Sequence, residues 1–313
     1  MAANFWASSQ FRNWQLDDDK VSKCNPRDRE YLTAEEITKA RIYYSDVLQL
    51  LGKKIALRQR VIASATIFFR RFYIFNSFSE FDPRLIAPTC LYLACKVEEC
   101  ITHARIFEKA MHSIDRNWPY RMDDVLEAEY YIIEEMDFYM VLYHPYRPLT
   151  MFLADCGESD LLEPAWYIVN DVYRTDLALM HPPHIIALAT ILMAATAQNR
   201  TAALRPWFAG LNVDMEEVWR VINTILQLYT VWYEMRDDEV KAILDKIVRK
   251  WNLLHQASSS GSSSSPNSSA STNPPMPSAA AGGGLSGTSH HPQPVHVEHI
   301  VASQHAPHPG QQG

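Results

Sequence analysis

The run Leu85-Ile-Ala-Pro-Thr-Cys-Leu-Tyr-Leu-Ala-Cys-Lys-Val-Glu-Glu99 is too apolar for a surface helix, yet it ends in a burst of charge. At about 100° per residue, Ala87, Cys90, Leu91, Ala94 and Val97 form one stripe, with Leu85, Thr89, Leu93 and Lys96 roughly opposite. Both faces require neighbours, so the pattern predicts a central helix. The small residues Ala87, Ala94 and Cys95 admit close packing. Lys96 sets a cation beside Leu93, so a partner at that rim meets apolar surface and one charge.

The flanking pattern predicts four more helices. Thr33-Ala-Glu-Glu36 has capping-box spacing and opens a helix to Leu51, ended by Gly52. The next runs from about Ala56 to Phe75, with Val61, Ala65, Phe68, Phe69 and Phe72 at core spacing. Asp82-Pro83 starts the central helix, since proline is preorganised for a first turn. A shorter helix lies within 101–121, and a long one runs from Asp123 to about Tyr143 on Val125, Leu126, Ile132, Ile133, Met136 and Met140. Glu129 falls inside that apolar stripe, where a carboxylate is costly unless a cation or donor meets it. Lys96 is the obvious candidate to meet it. Upstream, Phe5, Trp6, Phe11 and Trp14 predict one helix of about three turns. It either packs on its own body or meets a partner.

Tyr143-His-Pro-Tyr-Arg-Pro148 interrupts the helical pattern, and the first unit then recurs. Pro83-Arg-Leu-Ile-Ala87 returns as Pro183-His-Ile-Ile-Ala187, and the segment 56–75 corresponds to a helix from Glu163 to Met180. The period is too long for a solenoid and marks a duplicated domain. Lys96 corresponds to Thr196 and Glu98 to Gln198, so the second copy keeps the core and lacks the charge. Helices from Val213 to about Met235 and Asp237 to about Leu254 close it. The expected fold is all-α: an N-terminal helix and connector (1–30), two five-helix repeats (31–143 and 144–256, the second with a C-terminal helix), and a tail (257–313).

Composition sharpens this division. Every Lys and Arg lies before residue 257, whereas the rest is rich in Ser, Pro, Gly, Ala and His, a composition that predicts disorder. Six histidines lie there, His290, His291, His296, His299, His305 and His308, and read as low-complexity sequence. A net charge of -7 lacks the footprint of a nucleic-acid binder. The five cysteines contain no CxxC and read as core thiols of a reducing compartment. No signal peptide or membrane-length apolar run is present, so a soluble intracellular protein is expected.

No phosphate-cradling glycine loop, nucleophile elbow, HExxH or kinase HRD and DFG set occurs, which weighs against an enzyme and against a bound cofactor. His181-Pro-Pro-His184 could be half a metal site, but the two histidines flank prolines at a helix entry, where capping or surface placement is the ordinary reading.

Two five-helix repeats joined at a proline corner, with Leu91-Tyr-Leu-Ala-Cys-Lys-Val-Glu-Glu99 ending the third helix and Glu129 in the fifth, resemble the cyclin family. Arg41 and Asp46 match its first helix more weakly. Asn4-Phe-Trp6, Asp82-Pro83, Ala87-Pro-Thr-Cys90, Pro119-Tyr-Arg-Met122, Tyr143-His-Pro-Tyr-Arg-Pro-Leu149 and Tyr173-Arg-Thr-Asp-Leu177 are similar to the cyclin C subfamily. The resemblance implies a nuclear regulatory subunit that binds and activates a Mediator-associated cyclin-dependent kinase. It implies kinase contacts at Thr89, Tyr92, Leu93, Lys96 and Glu129, with Tyr92, Leu93 and Lys96 on an exposed face. Trp166, Asn170 and Arg174 recur at i, i+4 and i+8 beside Asp171. With Arg58 and Glu98, these imply a groove between the repeats for another Mediator kinase-module subunit; ordinary packing between the repeats is the competing reading. A non-activating scaffold, or an adaptor like transcription factor IIB, is the alternative function.

Overall fold

The computed structural model describes residues 4–22 and 25–260. Cys24 and the tail from residue 261, with its histidines, lie outside the described residues. A 3-10 turn, Phe5–Ala7, precedes α1 (Ser9–Trp14), α2 (Asp18–Ser22) and α3 (Pro26–Arg29). The first repeat is α4 (Ala34–Lys54), α5 (Gln59–Phe75), α6 (Pro83–Val97), α7 (Ala104–Ile114) and α8 (Met122–Glu135). The second contains α9 (Tyr146–Asp155), α10 (Leu162–Val172), α11 (Leu177–Met180), α12 (Pro183–Ala197), α13 (Thr201–Ala209) and α14 (Met215–Glu234), and α15 (Asp237–Ser260) follows. No strand occurs among the described residues.

The two apolar faces of α6 find their neighbours: α5, α4 and α8 surround it, and Leu85 through Leu91 are buried. Its counterpart α12 is surrounded by α9, α10 and α14. Both helices end in the same way, one hundred residues apart. Cys100 N donates to Cys95 O at 2.8 Å, and Arg200 N donates to Ala195 O at 2.8 Å. Glu99 and Asn199 take the left-handed conformation (φ 53° and 56°) that this Schellman ending requires.

The expected boundaries change at four places. Gly52 does not end α4; it lies within the last turn, where an added Cβ would come 2.4 Å from Ile62, and Ala56 (φ 54°) makes the left-handed stop instead. Helix α8 stops at Glu135, short of Tyr143, because Asp137 and Phe138 are both left-handed (φ 49° and 61°). The helix expected from Glu163 to Met180 is broken between Val172 and Leu177, where carbonyls of Tyr173 and Arg174 turn to Arg70. The aromatic N-terminus is two pieces: Ser8 is extended and caps α1 by accepting from Phe11 N at 3.3 Å.

That N-terminus straddles the corner between the repeats. Gln10 accepts from Tyr143 N at 2.6 Å, Leu16 N donates to Leu179 O at 2.8 Å, and Trp14 is buried with the Arg71 guanidinium 4.6 Å from its ring. Trp14 therefore packs on its own body, whereas Trp6 remains half exposed beside His184.

Candidate functional site

The third-helix ending and α8 build the first surface. Lys96 sits in the last turn of α6, where a cation suits the helix dipole. Its Nζ lies 2.6 Å from Glu129 Oε2 and 4.7 Å from the Tyr92 ring centroid. Glu129 is nearly buried while Lys96 is half exposed, so the carboxylate is met at its mouth by a cation still open to water. Tyr92 is half-buried with its ring against Phe107.

Two of the expected contact residues are not on the surface. Leu93 is 3% exposed, and Thr89 is fully buried with its hydroxyl donating to Leu85 O at 2.7 Å. The expectation of an exposed Leu93 is corrected: α6 packs against α5, α8 and α4, and Leu93 belongs to the buried core they form. The sequence pattern missed an exposed aromatic residue just past the end of α8. Phe138 is 74% exposed, and its N donates to Ile133 O at 3.1 Å, just beyond Glu129 on α8. A bulky side chain held out to solvent on a left-handed backbone is costly both ways, and such strain collects at functional surfaces.

The second set divides. Glu98, Trp166 and Asn170 join one seam between the repeats. Glu98 Oε1 accepts from Ser64 Oγ at 2.7 Å, and its other oxygen meets Arg60 Nε at 2.8 Å. Ser64 continues to His144 Nε2 at 2.9 Å, and His144 Nδ1 to the Tyr173 hydroxyl at 2.7 Å. Tyr146 stacks near Trp166, 4.4 Å between ring centroids, and donates to Asn170 Oδ1 at 2.9 Å. Asp171 belongs instead to a buried ion network, and Arg58 stays exposed at the start of α5. His144, Tyr146 and Tyr173 carry this seam; His144 and Tyr146 lie in the proline corner, and Tyr173 opens the Tyr173-Arg-Thr-Asp-Leu177 motif, but neither stretch shows that the three side chains meet.

The ion network fastens the first repeat to the second. Arg174 pairs with Asp46 (2.7 Å) and Asp171 (2.9 Å) and lies 4.1 Å over Trp232. Arg70 pairs with Asp176 at 2.7 Å and donates to Tyr173 O at 2.8 Å, and Arg41 reaches Asp176 at 3.4 Å and Tyr73 O at 2.9 Å. Burial pushes the Asp176 carboxyl up, but Arg70 and Arg41 outweigh it and hold it below its ordinary value. Burial raises Asp46 and Asp171 against the pull of Arg174.

His181 and His184 do not converge on a common point of chemistry: His181 Nδ1 meets Glu217 at 3.0 Å, and His184 faces Trp6. Among the described residues no group of three His, Cys, Asp or Glu is placed to hold a metal.

The cyclin N-terminal domain model matches residues 16–141. Cyclin-C of Rattus norvegicus is 42% identical over 259 residues, covering 79% of this chain and 91% of the rat protein. The chain belongs to the cyclin family, in its cyclin C branch. Drosophila melanogaster Cyclin-C is 39% identical, with 79% of this chain and 97% of that protein covered, and Cyclin-C1-1 of Oryza sativa subsp. japonica is 41% identical, with 80% and 100% covered. The cyclin fold recurs in solved structures. The CAK complex of Chaetomium thermophilum bound to ATP-gamma-S contains a chain of TM-score 0.62 at 20% identity, over 86% of this cyclin and 98% of that chain. The yeast TFIIK (Kin28/Ccl1/Tfb3) complex gives 0.59 at 23%, over 72% and 99%. The yeast RNA polymerase II CTD kinase CTDK-1 gives 0.57 at 17%, over 83% and 86%.

Proposed function

We propose that this cyclin is the activating subunit of a Mediator-associated cyclin-dependent kinase, acts in RNA polymerase II transcription in the nucleus, and is itself no catalyst. The kinase supplies ATP, magnesium and phosphoryl transfer, and the cyclin holds its regulatory helix in the active position. The observation that carries this is the Lys96–Glu129 pair over Tyr92, set at the one charged edge of a helix whose counterpart in the second repeat has Thr196 and Gln198. We assign the kinase contact to Tyr92, Lys96 and Glu129, extended by Ile133 and Phe138. Thr89 and Leu93 support it from beneath. The seam around Glu98, Trp166 and Asn170, bordered by exposed Arg58, is assigned to another subunit of the kinase module, with Asp171 bracing it through Arg174.

The test is reconstitution. Adding the full chain to a purified Mediator-class kinase subunit should raise phosphorylation of a polymerase C-terminal-domain peptide. A complex that forms without raising the rate would make the chain a scaffold.

A further inference from the structure

The turn that ends α6 holds two thiols in a particular relation. In a Schellman ending, the third residue from the helix end and the second residue past the cap frequently bring their side chains into contact. Cys95 and Cys100 occupy those two positions. The 2.8 Å bond from Cys100 N to Cys95 O, with standard backbone lengths, caps their Cα separation at about 6.7 Å, inside the disulfide range. The turn does not depend on thiols, since Ala195 and Arg200 make the same ending in the second repeat. Cys90, one further helical step back, points about 140° away from Cys95 and is fully buried.

Access is unequal in the way a two-thiol sensor requires. Cys100 is half-buried beside Ile101, which is 81% exposed, whereas Cys95 is 1% exposed. Burial pushes the Cys95 thiol up to about 11, so it is inert toward oxidants from solvent. Cys100 is the thiol an oxidant reaches first.

We propose that Cys95 and Cys100 are a peroxide-responsive pair that closes into a disulfide across the end of α6. Hydrogen peroxide converts the Cys100 thiol to a sulfenic acid and leaves as water. The Cys95 sulfur then attacks the Cys100 sulfur; the S–O bond breaks, and the hydroxyl leaves with the Cys95 proton as a second water. The two sulfurs lose two electrons in all, and one peroxide gains them. On the functional reading above, the bond locks the backbone between Lys96 and Glu98, the residues that face the two partners.

Trypsin makes the test direct, because it cuts after Arg84, Lys96 and Arg105 and so separates the two cysteines into different peptides. The full chain is treated with hydrogen peroxide, its remaining thiols are alkylated, and the digest is read by mass spectrometry. The expected product is Leu85–Lys96 joined to Val97–Arg105, two hydrogens lighter than the separate peptides, lost on reduction, present in Cys90→Ser and absent in Cys95→Ser. Fragmentation of the wild-type product places the bond at Cys95, whether or not the variants fold. Unlinked peptides carrying Cys100 sulfinic acid, or a bond at Cys90, would overturn the proposal. The map reads the bond without any kinase, so its outcome is separate from that of the functional reading.

Discussion

Lys96 Nζ donates to Glu129 Oε2 across 2.6 Å, joining the end of α6 to the middle of α8. Only the carboxylate is deeply placed, so removing the cation leaves Glu129 to be solvated through a half-open mouth. Lys96→Ala should cost about 1–2 kcal/mol of stability, less than for a fully buried pair. Lys96→Ala with Glu129→Gln should recover part of that loss. Urea unfolding of the four members of the cycle measures it, and additive losses would show that the two side chains are not coupled.

Arg174 is more deeply committed, meeting Asp46 from the first repeat and Asp171 from its own. Arg174→Met strands two carboxylates that are raised by burial, and should lower stability by about 3–5 kcal/mol. Because the network fastens one repeat to the other, calorimetry should resolve two unfolding steps for the variant and one for the wild type. A single transition with an unchanged midpoint would refute this role.

His144 gives the fold a pH dependence. Burial, then the positive charges of Arg60 and Arg71, hold its pKa down to about 3, so it stays neutral between Ser64 and the Tyr173 hydroxyl. Glu98 and Tyr146 also face it. Below pH 6.5 the unfolded chain takes up a proton that the folded chain refuses. This stabilisation is therefore complete above pH 6.5 and falls by about 1.4 kcal/mol per pH unit down to pH 3. Denaturation at pH 7 and pH 5.5 should show that slope, and His144→Asn should remove it.

Ala56 carries a left-handed backbone (φ 54°) on an exposed position, with its neighbour Leu57 N bonded to Gly52 O at 2.9 Å. Ala56→Gly relieves about 1–2 kcal/mol of local strain and gives back part of it through a freer unfolded chain. A net gain of about 0.5–1 kcal/mol should appear as a higher urea midpoint with unchanged slope.

Ala56 also shows where the sequence misleads. Gly52 looked like the helix stop because glycine is the usual left-handed residue, yet it is kept small by Ile62 and an alanine makes the turn. The same limit hid the end of α8, where apolar residues past Glu135 kept helical spacing although the backbone had turned. The repeat, the central helix and the Lys96–Glu129 pair were legible because helical spacing and an isolated carboxylate in an apolar stripe both leave a local mark. The seam of Ser64, His144, Tyr146 and Tyr173 was not, since it is assembled from α5, the proline corner and the segment after α10, and no local pattern records which distant hydroxyl an imidazole will meet. Leu93 was misplaced for a related reason: periodicity tells that a face is apolar, not whether another helix or a partner covers it.

The central claim is that the edge built on Lys96 and Glu129 holds the kinase. Its most direct test is the affinity of the full chain for the purified Mediator-class kinase subunit, measured by calorimetry for wild type, Lys96→Ala, Glu129→Ala and Phe138→Ala, each first shown to be folded. The account predicts tight binding by wild type and a loss of about a hundredfold for Lys96→Ala and for Glu129→Ala, equivalent to about 2.7 kcal/mol. Phe138→Ala should lose at least tenfold. Wild-type affinity in all three variants would contradict the account and move the kinase to another surface.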